Sequence, residues 1–277
     1  IGAAEDPQKA LFTLSIMTGL VMVALGLFKL GSLLNYVSQS VMIGFISAVG
    51  VNIVLGQMDG FTGYEADGSN RIARFLDLLV HPTEIEWRTF AVGATTIVLI
   101  IALERTRLGA LGMVVAVFAG SALVPLLGLD VERLVDIAAI PNSLPLPRMP
   151  DLSMIPVLIV PALSLAFVGL VQGAGVSASF PDPDGSQADA SGDFVGQGAA
   201  NIASGALQGM PVGGSMSASA LAVSAGAKSR LAILLAGVVM GMVIVFLAGP
   251  IGDIAMPALA GLLIVVGIRT VKPERIA

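Results

Sequence analysis

The chain contains no cysteine, one histidine and one tryptophan among its 277 residues. The absence of cysteine excludes disulfide bonds, thiolate catalysis and cysteine metal sites. The one histidine, His81, lies in a polar connection just before Pro82, and no second metal ligand lies near it in sequence. We interpret it as a solvated loop residue, with metal ligation as the less favoured alternative. No cofactor is predicted.

Charged residues are also scarce. They make up 12% of the chain, whereas hydrophobic residues make up 56% and the mean hydropathy is +0.93. Soluble domains have about 25% charged residues, so this composition is typical of an integral membrane protein. The net charge is −5 and no basic stripe is present, which argues against nucleic acid as a partner. We predict an all-α, multi-pass protein of the cell membrane, surrounded by the lipid bilayer.

Apolar runs long enough to approach or cross a bilayer recur along the chain, separated by charged turns and polar loops. Polar loops at 59–88, 130–153 and 181–193 interrupt the pattern, and the loop 130–153 marks no domain boundary because apolar spans flank it on both sides. The predicted spans are 11–30, 37–58, 87–103, 109–127, 155–180, 194–209, 231–248 and 254–269.

The stretch 208–230 differs from these spans because its first residues resist a helix. Pro211 fixes its own φ and lacks an N–H, and Gly213-Gly214 permits backbone conformations that other residues avoid. A regular helix is therefore predicted to begin near Ser215 and to end at Gly226, a residue typical of helix ends. This length is roughly a dozen residues, against about twenty for a full crossing, so we predict a half-helix.

A helix that begins inside a bilayer leaves its first N–H groups without partners, unless they line a cavity or meet a ligand. The unpaired donors and the positive end of the helix dipole favour an anion. Gln172, the one large polar side chain of span 155–180, is predicted to be its neutral neighbour. The other predicted binding residues are Gly213, Gly214, Ser215, Met216, Ser217 and Ala218. Tight packing of small residues, with Gln172 in an interhelical hydrogen bond, is the alternative.

Several short motifs occur together in this chain. They are Ser-x-x-Val-x-x-Gly-Phe (Ser38, Val41, Gly44, Phe45), Gln197-Gly198 with Asn201, the run from Pro211 to Ser219, and Gly226-Ala227. In this combination the chain resembles the SulP sulfate permease family of anion transporters, which includes the relatives of prestin and pendrin. The stretch from Asp193 to Arg230 carries the most specific part of the resemblance.

The resemblance implies a multi-span inverted-repeat transporter fold of the 7+7, UraA-like type, in which a core domain moves against a gate domain. On that pattern the chain begins at the fourth segment and ends after the twelfth, so we expect a fragment without the STAS domain. Residues 11–30 and 155–248 would belong to the core domain, and residues 37–127 and 254–270 to the gate domain. A homodimer is implied by the resemblance alone.

Two positions depart from the family's pattern. Many relatives carry an arginine where this chain has Ala218, and an acidic residue where it has Gln172. Either change alone shifts the charge of the site by one unit, whereas the two together roughly cancel. We interpret them as a paired neutralisation, which argues against proton or sodium coupling through a carboxylate at position 172.

The first functional hypothesis is a secondary-active transporter of a small inorganic anion, most favourably sulfate, working by elevator-like alternating access. Bicarbonate or another anion is an alternative. The second hypothesis is a nucleobase permease of the same architecture, although such relatives hold the base with carboxylates that are missing here. The third hypothesis is a membrane sensor or structural protein that does not transport. An enzyme is disfavoured, because no base, nucleophile and orienting residue are visible within the spans.

Overall fold

Helices make up nearly all of the regular structure in the computed structural model. The structure describes residues 6–30, 39–109, 111–137, 143–179, 189–215, 218–219, 222–223, 226–227 and 229–271. The helices are α1 Pro7–Leu27, α2 Gln39–Gly56, α3 Met58–Thr62, α4 Arg71–Val80, α5 Trp87–Glu104, α6 Leu111–Leu126, α7 Leu134–Ile137, α8 Ile155–Ser179, α9 Ala190–Ala206, α10 Arg230–Gly252 and α11 Met256–Thr270. Short 3₁₀ helices occupy Pro82–Glu84 and Leu152–Met154, and an antiparallel bridge pairs Arg133 with Ala255.

Capping residues decide where α1 and α9 begin. The Asp6 carboxylate accepts the N–H of Lys9 at 3.0 Å, so α1 begins four residues before the predicted span 11–30. The Asp189 carboxylate likewise accepts the N–H of Ser191 at 3.0 Å, and α9 occupies Ala190–Ala206 rather than 194–209. In both helices a polar cap outweighs the hydropathy pattern from which the spans were predicted.

Four helical stretches of the described residues are long and apolar enough to cross a membrane: Pro7–Leu27, Trp87–Glu104, Leu152–Ser177 and Leu231–Gly252. Shorter apolar helices lie at Ile46–Gly56, Leu111–Leu126 and Met256–Thr270. A hydrophobic helix satisfies its backbone hydrogen bonds internally, as the bilayer interior requires. The prediction of an all-α, multi-pass membrane protein is confirmed.

The chain divides into two compact units. The first comprises residues 1–42 and 145–234, and the second comprises residues 43–144 and 235–277. Each unit is therefore built from two separated parts of the chain. The assignment of membrane segments to a core and a gate domain stays a prediction.

In the first unit, α1 packs closely on α9 because glycines lie where the two helices cross. A Cβ added to Gly198 would lie 2.6 Å from the carbonyl oxygen of Gly19 and 2.7 Å from the nitrogen of Val23. A Cβ added to Gly205 would lie 2.6 Å from the carbonyl oxygen of Phe12. Real side chains essentially never come so near to backbone atoms. Small residues thus allow the backbones to approach, as is common between membrane helices.

Asp151 joins the beginning of α1 to the turn before α8. Its carboxylate lies 3.0 Å from the Lys9 ammonium and accepts the Ser153 hydroxyl at 2.6 Å, while its N–H donates to the Thr13 hydroxyl at 3.0 Å. The hydrogen bond from the Ser153 hydroxyl, followed by that from Lys9, lowers the pKa of Asp151 to about 2. The ionised carboxylate is therefore the form that the folded unit favours.

We expect Asp151 to make stability depend on pH in the acidic range. Because its pKa is lower folded than unfolded, its contribution is complete above pH ~4 and is lost as the pH falls towards about 2. Thermal unfolding in detergent should show that Asp151→Asn lowers the melting temperature at pH 6 and reduces its fall between pH 5 and 3. Glu65 is an exposed carboxyl with no hydrogen-bond or ion-pair partner among the described residues. Glu65→Gln should therefore change neither the melting temperature at pH 6 nor its fall between pH 5 and 3. A wild-type pH profile retained in Asp151→Asn would contradict this assignment.

In the second unit, α5 packs against α3, α6 and α11. The ring of Phe61 in α3 fills the space beside Gly93, where an added Cβ would lie 2.6 Å from it. At the other end of α5, both Glu104 carboxylate oxygens accept hydrogen bonds from the Arg269 guanidinium of α11, one of them at 2.6 Å. This two-point pairing fixes the direction of the arginine as well as its charge. It ties the last turn of α5 to the last turn of α11.

Candidate functional site

Ser215 has the hydrogen bonds of a helix N-cap. Its side-chain oxygen accepts the N–H of Ala218 at 3.2 Å, and its carbonyl accepts the N–H of Ser219 at 3.0 Å. These are the bonds by which a serine begins a helix. The Ser215 oxygen acts here as an acceptor, so its hydroxyl proton can donate to a ligand. A helix start at Ser215, as predicted, agrees with these contacts.

Gly226 has the hydrogen bonds of a helix end. It adopts φ +80°, its N–H donates to the carbonyl of Val223, and the N–H of Ala227 donates to the carbonyl of Ala222, both at 3.0 Å. This pair of bonds is the Schellman arrangement that ends helices at a left-handed glycine. Ser215 and Gly226 are eleven positions apart in the sequence, about half of the length that a crossing needs. Both ends of the predicted half-helix are thus accounted for.

The segment 207–215 before the half-helix, which we call the lead-in, is held by side chains of α9. The Asn201 Oδ1 accepts the N–H of Val212 at 2.8 Å, and the Asn201 Nδ2 donates to the carbonyl of Val212 at 2.8 Å. One turn further along α9, the Ser204 hydroxyl donates to the carbonyl of Met210 at 2.8 Å. These bonds supply backbone partners that the non-helical lead-in lacks in itself.

The glycines of the lead-in lie against α8. A Cβ added to Gly213 would lie 2.9 Å from Oε1 of Gln172, and one added to Gly214 would lie 3.2 Å from Cα of Gly173. The structure therefore brings Gln172 beside the residues that immediately precede Ser215. Of the predicted site residues, Gly213, Gly214, Ser215, Ala218 and Gln172 are described. Met216 and Ser217 lie outside the described residues.

Two buried side-chain oxygens of this unit have no hydrogen-bond partner among the described residues: Thr18 Oγ1 and Gln197 Oε1. Gln197 lies one turn before Asn201 on α9, and its amide nitrogen contacts Gly173 of α8. Thr18 lies on the face of α1 between Ser15 and Met22, which both contact Asn201. Buried polar atoms without a partner are rare, and a water or ligand that donated to them would be stabilised here.

Formal charge is nearly absent around the lead-in. Asp193 is the one ionisable side chain in α8, α9 and residues 207–215, and its carboxylate accepts the Ser177 hydroxyl at 2.6 Å. No lysine or arginine lies in these segments. A ligand at Ser215 would therefore meet hydroxyl, amide and main-chain donors together with the helix dipole, rather than a cationic side chain.

Asn201 and Ser204 were not among the predicted binding residues. Asn201 is fully buried, and an amide within a membrane span is costly unless it has partners. That cost is the signal by which the sequence marks Asn201 as important. The identity of its partner, the backbone of Val212, follows only from the tertiary structure.

A comparison with models of protein families shows to which family the chain belongs. The model of the sulfate permease family matches residues 2–276, which is nearly the whole chain. The chain belongs to the sulfate permease family. Its predicted resemblance to that family is confirmed.

The relatives found by sequence are named as transporters. A protein of Mycobacterium tuberculosis named as a probable sulfate transporter is 28% identical over 94% of this chain and 47% of its own length. The bicarbonate transporter BicA of Synechocystis is 26% identical over 96% of this chain and 48% of its own length. The chain therefore spans about half the length of the curated relatives that it matches.

Solved structures confirm the predicted fold class. The transmembrane domain of a cyanobacterial bicarbonate transporter, BicA, superposes with a TM-score of 0.86 at 22% identity, covering 99% of this chain and 71% of that one. The structure of SLC26A9 superposes with a TM-score of 0.82 at 17% identity, covering 94% of this chain and 43% of that one. At these identities the likeness concerns the fold, an all-α inverted-repeat transporter architecture.

Proposed function

We propose that the full-length protein is a secondary-active transporter of a small inorganic anion, most favourably sulfate. The anion would bind at the N-terminus of the half-helix, near Ser215, and cross by elevator-like alternating access. The first unit would then supply most of the core domain and the second unit most of the gate domain, although residues 235–248, which were predicted for the core, lie in the second unit. The observation that carries the proposal is a membrane half-helix capped at Ser215, whose glycine lead-in packs on α8 beside Gln172.

Helix physics supports an anion at this position. The N-terminus of a helix bears a partial positive charge and main-chain donors, and a low dielectric strengthens both effects. Gly213 and Gly214 leave the backbone accessible to a ligand because they have no side chains. The names of the relatives, probable sulfate transporter and bicarbonate transporter, agree with an anionic substrate.

Bicarbonate is the second candidate, and a specific observation favours it. No lysine or arginine lies in α8, α9 or the lead-in, and position 218 is an exposed alanine. A doubly charged anion is more strongly hydrated than a singly charged one, so it gains more from a cationic side chain. A nucleobase is less favoured, since Gln172 stands where a base-binding carboxylate would lie.

The first test is uptake of radiolabelled sulfate, and separately of bicarbonate, into proteoliposomes that contain the full-length protein. Gly214→Leu should reduce uptake at least tenfold, because a Cβ at Gly214 already lies 3.2 Å from the backbone of Gly173. Gly196→Leu is the matched control, because a Cβ at Gly196 meets no described atom within 4 Å. This variant should retain uptake.

The same assay separates the hypotheses. Bicarbonate uptake without sulfate uptake would select the second candidate. Absence of both would favour a membrane sensor or structural protein. Uptake that is indifferent to an inward proton gradient would support the loss of carboxylate coupling at Gln172, whereas strong stimulation by the gradient would contradict it.

A further inference from the structure

The side chain of Asn201 forms hydrogen bonds with both main-chain groups of Val212, as a neighbouring β-strand would. It accepts the N–H of Val212 and donates to the carbonyl of the same residue, each at 2.8 Å. A primary amide presents an acceptor and donors in one plane, so it can satisfy both main-chain groups of one residue at once. This single side chain therefore replaces the two hydrogen bonds that Val212 would make in a helix or sheet.

Asn201 is itself held firmly. Its Nδ2 also donates to the carbonyl of Gln197 at 2.9 Å and lies 3.5 Å from the sulfur of Met22. Its main-chain carbonyl accepts the Ser15 hydroxyl at 3.0 Å. The residue is fully buried, and the close crossing of α1 and α9 at Gly198 lies one turn away. The amide is thus fixed from both helices.

The Gln208 amide and the Ser204 hydroxyl hold the beginning of the lead-in, but its end next to the helix cap has few other means of being placed. Gly213 and Gly214 have no side chains to anchor it, and Pro211 has no N–H to donate. Val212 precedes the helix cap at Ser215 by three residues, so its position determines where the cap lies relative to Gln172 and Gly173. A shift of about 1 Å in such a segment is enough to spoil the geometry of a binding site.

We propose that Asn201 is the positioning residue of the anion site: without touching the anion, it sets the place of the half-helix N-terminus through Val212. The inference rests on the proposed function. A purely structural asparagine would matter only for stability, whereas a positioning residue also determines how well the folded protein binds its anion.

Asn201→Asp distinguishes these two roles. A neutral carboxylic acid accepts the N–H of Val212 and donates its O–H to the carbonyl, whereas the carboxylate cannot donate. Anion affinity should therefore return as the pH falls. The groups facing the new carboxyl would not confuse the profile, since α1 contributes Lys9 alone among ionisable residues, α8 and the lead-in contribute none, and Asp193 lies two turns away on α9.

The experiment measures KM and the maximal rate of sulfate or bicarbonate uptake between pH 5.5 and 8, each variant relative to the wild type at the same pH. Asn201→Ala should raise KM about tenfold at every pH. Asn201→Asp should show the same defect at pH 8 and lose most of it at pH 5.5. Asn70→Asp is the matched control, because it is the same substitution in the second unit, and the Asn70 side chain only accepts a hydrogen bond, from the N–H of Ala73 at 2.9 Å, which a carboxylate accepts equally well. It should show no such recovery.

Hydrogen exchange of residues 209–215 supplies a readout that needs no transport. Faster exchange at Val212 in Asn201→Ala would show that the Asn201 amide holds Val212 in place. Unchanged exchange, an unchanged KM, or an Asn201→Asp defect that ignores pH would each overturn the proposal. If the wild type carries neither anion, the proposed function fails and the role at an anion site fails with it, while the exchange at Val212 still decides whether Asn201 places the lead-in.

Discussion

Alanine at Gly198 should lower the free energy of unfolding of the first unit by about 3 kcal/mol, near the upper end for an overpacked site. The added methyl would lie 2.6 Å from the carbonyl oxygen of Gly19 and 2.7 Å from the nitrogen of Val23. Both obstacles are backbone atoms of a helix, so no side-chain rotation relieves the clash. The helices α1 and α9 must separate along their length, which disturbs the packing at Gly205 as well.

Gly196→Ala provides the control, since it places the same methyl on the same helix two residues away. A Cβ there meets no described atom within 4 Å, and alanine favours a helix over glycine by about 1 kcal/mol. Thermal unfolding in detergent should therefore show Gly198→Ala melting well below the wild type and Gly196→Ala at or above it. Equal melting temperatures of the two variants would show that α1 and α9 do not cross at Gly198.

The half-helix could be predicted from sequence because its signals are local. Pro211 and Gly213-Gly214 prevent a helix, Ser215 is a residue type that begins one, and Gly226 is a type that ends one. Each signal acts within about four residues, so no tertiary information is needed to recognise it. For Gln172 the sequence predicted only a place near the anion, from the cost of a polar side chain inside a membrane. Its contact with Gly213 was not predicted.

The hydrogen bonds that hold the lead-in in place could not be predicted from local signals. The bonds between Asn201 and Val212 join residues eleven positions apart, and the bond from Ser15 to Asn201 joins residues 186 positions apart. Hydropathy also misplaced α9, because Asp189 caps the helix in a polar stretch that carries no apolar signal. Such contacts depend on which helix faces which, and the period of a hydrophobic pattern does not contain that information.

The neutrality of the proposed site is its main departure from the pattern that the family resemblance implies. The resemblance implies an acidic residue on the eighth segment and an arginine in the half-helix, and this chain has Gln172 and Ala218 at those positions. Gln172 lies beside the lead-in, and Ala218 is in the first turn of the half-helix. If the two positions changed as a compensating pair, a glutamate at position 172 alone should weaken anion binding and an arginine at position 218 alone should tighten it. The two together should return the affinity close to the wild-type value.

Gln172→Glu should weaken anion binding in proportion to the charge of the anion. Coulomb's law at an effective dielectric constant of about 20 gives roughly 1–2 kcal/mol for two unit charges ~8–15 Å apart. At about 1 kcal/mol per unit charge, a monoanion should bind roughly fivefold more weakly and sulfate roughly thirtyfold more weakly. Gln172→Met, which changes the side chain without adding a charge, should alter the two affinities equally.

Ala218→Arg completes the cycle. Alone it should tighten binding, by less than the glutamate weakens it because position 218 is exposed and water screens the charge. Combined with Gln172→Glu it should bring the affinity for sulfate back to within about threefold of the wild type, and the benefit should shrink at high salt. A double variant that binds sulfate as weakly as Gln172→Glu alone would show that an arginine at position 218 does not act on the same anion. The binding free energy that Ala218→Arg restores should be about twice as large for sulfate as for a monoanion. That result would locate both positions at the same binding site.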